Sequence, residues 1–152
     1  MPEQPTDDTV RIERLVPAAI EAVWAMWTDE ERFCSWYGPA GATCTPVRFD
    51  LTVGGDRVLT MTMQTPGGTR SMWFVGRFLE IDASRRLVYT ETMSDGDHGQ
   101  PAEPATTVTM ELSAQDGGTL LRLVHQGIPA GSPGAAGWLA ALDKLDTAVR
   151  AH

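Results

Sequence analysis

Glu91 and His125 are the residues whose types and settings could do proton chemistry. Glu91 stands in "RLVYTETM" (86–93), in phase with Leu87, Tyr89 and Met93. His125 stands in "TLLRLVHQ" (119–126), in phase with Leu121 and Leu123. Residues two apart in a strand share a face, so each polar group is expected to point where its apolar companions point, while Arg122 faces water. A carboxyl and an imidazole carried into an apolar interior can serve as general acid and base. The plainer expectation for both is a polar group near a strand end, satisfied by backbone or water. A catalytic pair would need both within reach of one bound substrate. Cys34 and Cys44 allow a disulfide on paper, but nothing points to an oxidising compartment, and two reduced thiols are expected. His98, His125 and His152 show no ligand spacing near the cysteines, so neither a metal site nor a cofactor is expected.

The elements that would position these residues are legible from periodicity. "TVRIERL" (9–15) alternates as a strand. Pro17 suits a first helical turn, and Ile20, Val23, Trp24 and Trp27 follow at i, i+3, i+4 and i+7, one apolar helical face. "TDEE" (28–31) reads as a capping box opening a second short helix, which runs to about Trp36 and stops at Gly38-Pro39. Six strand signals then recur between turns, in "TCTPVRFD" (43–50), "DRVLTMTMQ" (56–64), "RSMWFVGRFLEI" (70–81), "RLVYTETM" (86–93), "TTVTMELSA" (106–114) and "TLLRLVHQ" (119–126). Pro46 marks an edge or bulge, and Gly76 a bulge or close approach. The polar stretch 94–105 reads as a loop. From about Pro133 the spacing of Trp138, Leu142, Leu145 and Val149 is helical to the end. Residues 1–8 read as a disordered N-terminal tail and 9–152 as a single domain.

Bulk properties exclude several function classes. The formal net charge of −8 over 152 residues argues against a nucleic-acid partner, whose binders present basic patches, and against an anionic membrane surface. The longest apolar runs are too short to span a bilayer. No charged-then-apolar leader opens the chain, and a cytoplasmic location is expected.

Large and adaptable side chains cluster where a pocket could form. In "FCSWYGPAG" (33–41), neighbours on a helix project about 100° apart, which sends Trp36 toward the interior and Tyr37 toward a rim. Leu59, Met61 and Met63 share one strand face. Methionine tolerates guests of varied shape, and Met61 and Met110 are the better pocket candidates of this type. Strand phase with Gly76 and Phe78 places Phe74 inside, unless a bulge at Gly76 reverses it.

This order of elements resembles the helix-grip fold of the START-like, or SRPBCC, superfamily, and within it the branch named after the activator of the heat-shock chaperone ATPase. The resemblance is carried by "VWAMWTDEERFCSWYGPAG" (23–41), "FDLTVGGDRVLTM" (49–61), "GRFLEIDASRRLVYT" (76–90), "TTVTMELSAQDGGTLLRLVHQGIP" (106–129) and "GWLAALDKL" (137–145). It implies an α+β fold in which a curved antiparallel sheet surrounds a long C-terminal helix, with two short helices after the first strand. It also implies a cavity between sheet and helix. An empty cavity costs stability, so a retained hollow implies a ligand.

On that basis the leading expectation is a small binding protein holding an apolar or amphipathic molecule. Trp36, Leu59, Met61, Met63, Phe74, Phe78, Tyr89, Met110, Leu121, Trp138 and Leu142 are the expected ligand contacts. The alternatives are a cofactor-free cyclase or aromatase acting through Glu91 and His125, and a chaperone-regulating interaction module. The eukaryotic member that gives the branch its name has an additional domain, and no second domain is read here. A homodimer is compatible with the sequence, though no specific feature calls for one.

Overall fold

The computed structural model describes residues 9–38, 41–94, 106–127 and 133–150. The expected tail (1–8) and most of the expected polar loop lie outside these residues. The elements are β1 (Thr9–Val16), α1 (Ile20–Thr28), α2 (Glu30–Cys34), β2 (Thr43–Phe49), β3 (Asp56–Thr65), β4 (Gly68–Asp82), β5 (Arg86–Ser94), β6 (Thr106–Gln115), β7 (Gly118–Gln126) and α3 (Pro133–Arg150). The seven strands form one antiparallel sheet in the order β1-β7-β6-β5-β4-β3-β2. Strands β1 and β2 therefore sit at opposite edges although they follow each other in the chain. The two short helices carry the chain from one edge to the other.

The helix boundaries differ from the sequence expectation for a local reason. The Thr28 hydroxyl donates back to the Trp24 carbonyl (2.9 Å) and so belongs to α1. The cap of α2 is Asp29, whose carboxylate accepts from the Arg32 amide (3.1 Å), as an N-cap side chain does. On α1 the buried face is Val23, Met26 and Trp27, and Trp24 is only half-buried. Helix α2 ends at Cys34, so Trp36 and Tyr37 lie in the turn beyond it and not on helical geometry.

The edge strand β2 shifts register between Pro46 and Arg48, which suits an edge that should not recruit another chain. On β4 the shift falls between Phe78 and Glu80, not at Gly76. Gly76 is a close approach instead, since a Cβ there would stand 1.7 Å from the Thr90 carbonyl oxygen. With the shift placed after it, Phe74 keeps the inward phase expected of it and packs against the core.

One hydrophobic core lies between the sheet and α3. Leu59, Phe78, Leu87, Tyr89, Met110, Leu121 and Leu123 enter it from the strands, and Trp138, Ala141, Leu142, Leu145 and Val149 from α3. Two polar ties fix the helix. Arg14 of β1 donates to Asp143 (2.6 Å) and Asp146 (2.9 Å). Lys144 Nζ donates to the Gly38 carbonyl (3.0 Å) at the end of the α2 turn. Gly38 has φ +99°, and a Cβ would meet Met61 Sδ at 2.6 Å, so only glycine fits where that turn meets the sheet.

Candidate functional site

A polar cluster is built into this apolar core at the level of Gly76. Arg57 lies on the same face of β3 as Leu59 and Met61, and its register partner on β4 is Gly76. Val75 pairs with Thr92 of β5, which places Glu91 across from Gly76 on the far side. The missing side chain at Gly76 lets two long side chains meet over the sheet. Arg57 Nη1 contacts Glu91 Oε2 at 3.1 Å, with the two side chains 1% and 6% exposed. The Tyr37 hydroxyl donates to the same carboxylate, 3.0 Å from Oε1 and 3.1 Å from Oε2. Burial first, then the Glu91 charge, pushes the Tyr37 phenol well above its ordinary value, so it remains a donor. The guanidinium carbon stands 3.7 Å from the Tyr89 ring centroid and 4.7 Å from that of Phe33. Aromatic faces stabilise a desolvated cation in this way. Two buried polar atoms of the cluster, Arg57 Nη2 and Tyr89 Oη, have no hydrogen-bond partner among the described residues.

A second polar chain runs beside it to α3. Trp138 Nε1 donates to His125 Nδ1 (2.9 Å). An indole can only donate, so the ring proton of neutral His125 sits on Nε2, which is 2.7 Å from Thr106 Oγ1. The Thr106 hydroxyl in turn donates to the Glu91 carbonyl (2.8 Å). Every group in the chain is used once, and the neutral imidazole is the form that fits. Burial holds His125 below its ordinary value, with nearby Glu91 favouring the proton and Arg57 opposing it. The unfolded chain therefore takes up a proton at higher pH than the folded one. Stability from this group is full above about pH 6.5 and falls as pH drops below it, by at most about 1.4 kcal/mol per pH unit. Urea unfolding from pH 7.5 to 5 should show this slope, and His125→Gln should flatten it.

The structure brings the sequence candidates together. Trp36, Leu59, Phe78, Tyr89, Met110, Leu121 and Leu142 are fully buried in one core. Met61 and Trp138 are nearly so, and Met63 and Phe74 pack on it partly buried. Trp36 is an interior plug, its indole donating to the Met26 carbonyl (2.9 Å) and its ring edge-on to Trp27 and Phe33. Tyr37 does not face a rim but is buried on Glu91. Glu91 and His125 both point inward as expected, yet they do not touch. Thr106 stands between them, and each is engaged by its own protein partners. Met93 shares their phase but is 54% exposed, because the β5–β6 pairing ends at Glu91 and Thr106. Sequence reasoning missed Arg57. The signal was present, since Arg57 is in phase with Leu59, Met61 and Met63.

A sheet of seven antiparallel strands, two short helices after the first and a terminal helix on the core is the architecture to compare. The family model described as Activator of Hsp90 ATPase homolog 1-like protein matches residues 17–150. The chain belongs to the AHSA1-like family. Its helix-grip fold, of the SRPBCC superfamily, recurs in solved structures. A crystal structure of a Chromobacterium violaceum protein is 27% identical with a TM-score of 0.81, over 93% of this chain and 97% of that one. The solution structure of an AHSA1-like protein from Aeromonas hydrophila is 27% identical with a TM-score of 0.72, over 94% and 92%. The crystal structure of the AHSA1 protein from Silicibacter pomeroyi, at 21% identity and a TM-score of 0.77 over 94% and 98%, shares the AHSA1-like fold. None of the curated proteins matches the chain significantly. Among the described residues of this AHSA1-like chain, no helix is long and apolar enough to cross a membrane.

Proposed function

We infer that this AHSA1-like chain is a binding protein for a small amphipathic molecule held between the sheet and α3. The observation that carries the reading is the buried Arg57 Nη2, a cationic donor without a partner among the described residues, with the Tyr89 hydroxyl in the same condition. Buried polar groups are nearly always paired, and leaving one unpaired costs about 1–3 kcal/mol. A guest oxygen that accepts from Arg57 removes that cost. Glu91 already neutralises the guanidinium, so a neutral carbonyl suits the position better than a second carboxylate. The apolar part of the guest would lie against flexible and aliphatic side chains such as Met61, Met110 and Leu142. The inward polar groups favour binding over proton transfer, since the Glu91 carboxylate and both His125 nitrogens already have protein partners.

A thermal-shift panel of long-chain ketones, aromatic polyketide-like phenols, fatty acids and a naphthalenesulfonate dye tests the reading. At a ligand concentration 100-fold above Kd, binding adds about 2.7 kcal/mol to stability. Carbonyl-bearing members should raise the midpoint, and the double replacement R57M/E91M should abolish the rise. A panel in which no member shifts the midpoint overturns the proposal, as does undiminished binding by the double variant.

A further inference from the structure

Cys34 closes α2 and Cys44 is the second residue of β2. Both are half-buried and packed on the edge of the common core. Their thiols hydrogen-bond to each other, so helix and edge strand meet sulfur to sulfur. The chain has only these two cysteines, and oxidation within one molecule can join no other pair. Both are partly accessible to a small solute. This pair is independent of the ligand reading above and is used by none of the interactions of the polar cluster.

We propose that Cys34 and Cys44 form a peroxide-oxidisable dithiol that staples α2 to the edge of the sheet. The Cys34 thiolate attacks the peroxide O–O bond, giving a Cys34 sulfenic acid and hydroxide. The Cys44 sulfur then attacks the sulfenic sulfur, forming the disulfide as water leaves. Overall, two thiols and one hydrogen peroxide give one disulfide and two waters, with both sulfurs oxidised and the peroxide oxygens reduced. The assignment of Cys34 as the attacking sulfur follows from its surroundings. The hydrogen bond with Cys44 draws the Cys34 thiol below its ordinary value, against burial and with help from the Arg57 charge. The same bond, and burial, push the Cys44 thiol up. A lowered thiol supplies the thiolate that reacts. The bond would tether the helix whose following turn delivers Tyr37 to Glu91.

The test treats the reduced full chain with a small molar excess of hydrogen peroxide and reads intact mass and a non-reducing peptide map. The expected product is a monomer lighter by two hydrogens, in which one linked peptide contains both cysteines, restored by dithiothreitol. Cys44→Ser should stop at a Cys34 sulfenic acid captured by dimedone, and iodoacetamide should modify Cys34 at least about tenfold faster than Cys44. The wild-type map alone decides the case if the variant does not fold. Peroxide that leaves both thiols titratable, that oxidises only methionine, or that links separate chains overturns the proposal.

Discussion

Replacing Glu91 with leucine is expected to lower the unfolding free energy by about 3–5 kcal/mol, the usual cost of leaving a buried ion without its partner. Arg57 is 1% exposed and has no water to turn to. Without Glu91 it retains only the faces of Tyr89 and Phe33, and the Tyr37 hydroxyl loses its acceptor as well. Arg57→Met should cost a similar amount, because it strands the Glu91 carboxylate on one phenol. The pair R57M/E91M removes both charges together and keeps apolar volume. It should be near wild type or more stable, as replaced buried ion pairs often are. Urea unfolding of the two single variants and the double gives the coupling directly. Single variants that match the double in stability would show that the pair is not the desolvated contact described. The double variant also separates folding from recognition, which makes it the natural control in the binding experiment.

The second large effect belongs to Trp138. Its ring stacks on Trp27 at 5.8 Å between centroids, lies 5.5 Å from Tyr37 and meets His125 edge-on at 6.0 Å. Its N–H is the donor that fixes the imidazole tautomer. Trp138→Ala should therefore cost about 3–5 kcal/mol, the range for deleting a large aromatic ring from a core. Trp138→Phe keeps most of the packing and loses the donor, so about 1–3 kcal/mol is expected, the cost of an unpaired buried acceptor. Hydrogen exchange should locate the damage. Amides of α3 should open at lower free energy in the alanine variant while those of β6 and β7 still report global unfolding. Uniform loss of protection across the sheet would contradict a helix anchored mainly through this ring.

Much of the architecture was legible because strand alternation and helical spacing are periodic. All seven strands and the terminal helix lie where the pattern places them, and the phase of Leu121, Leu123 and His125 correctly turned the imidazole inward. What periodicity could not show is where a regular element stops. The 100° rule failed for Trp36 and Tyr37 because α2 ends at Cys34, two residues early, once Thr28 bonds within α1 and the cap passes to Asp29. Arg57 was overlooked for a different reason. A charged residue beside a turn reads as solvated, and its burial depends on a counter-charge on β5 and a glycine on β4, neither of which is local in sequence. The same holds for Thr106, which matters only because it falls between Glu91 and His125 after the sheet has formed.

The placement of β1 bears on how the molecule is made. Thr9 pairs with Gln126 and Val16 with Thr119, and β7 is the one strand beside β1 among the described residues. The first strand to leave the ribosome thus waits for the last. At about 5–20 residues per second, roughly 5–20 s pass before its hydrogen-bonding partner emerges. Arg14 waits longer still for Asp143 and Asp146. During that interval the nascent chain carries an unmatched strand, and its final closure joins beginning to end in a single long-range step.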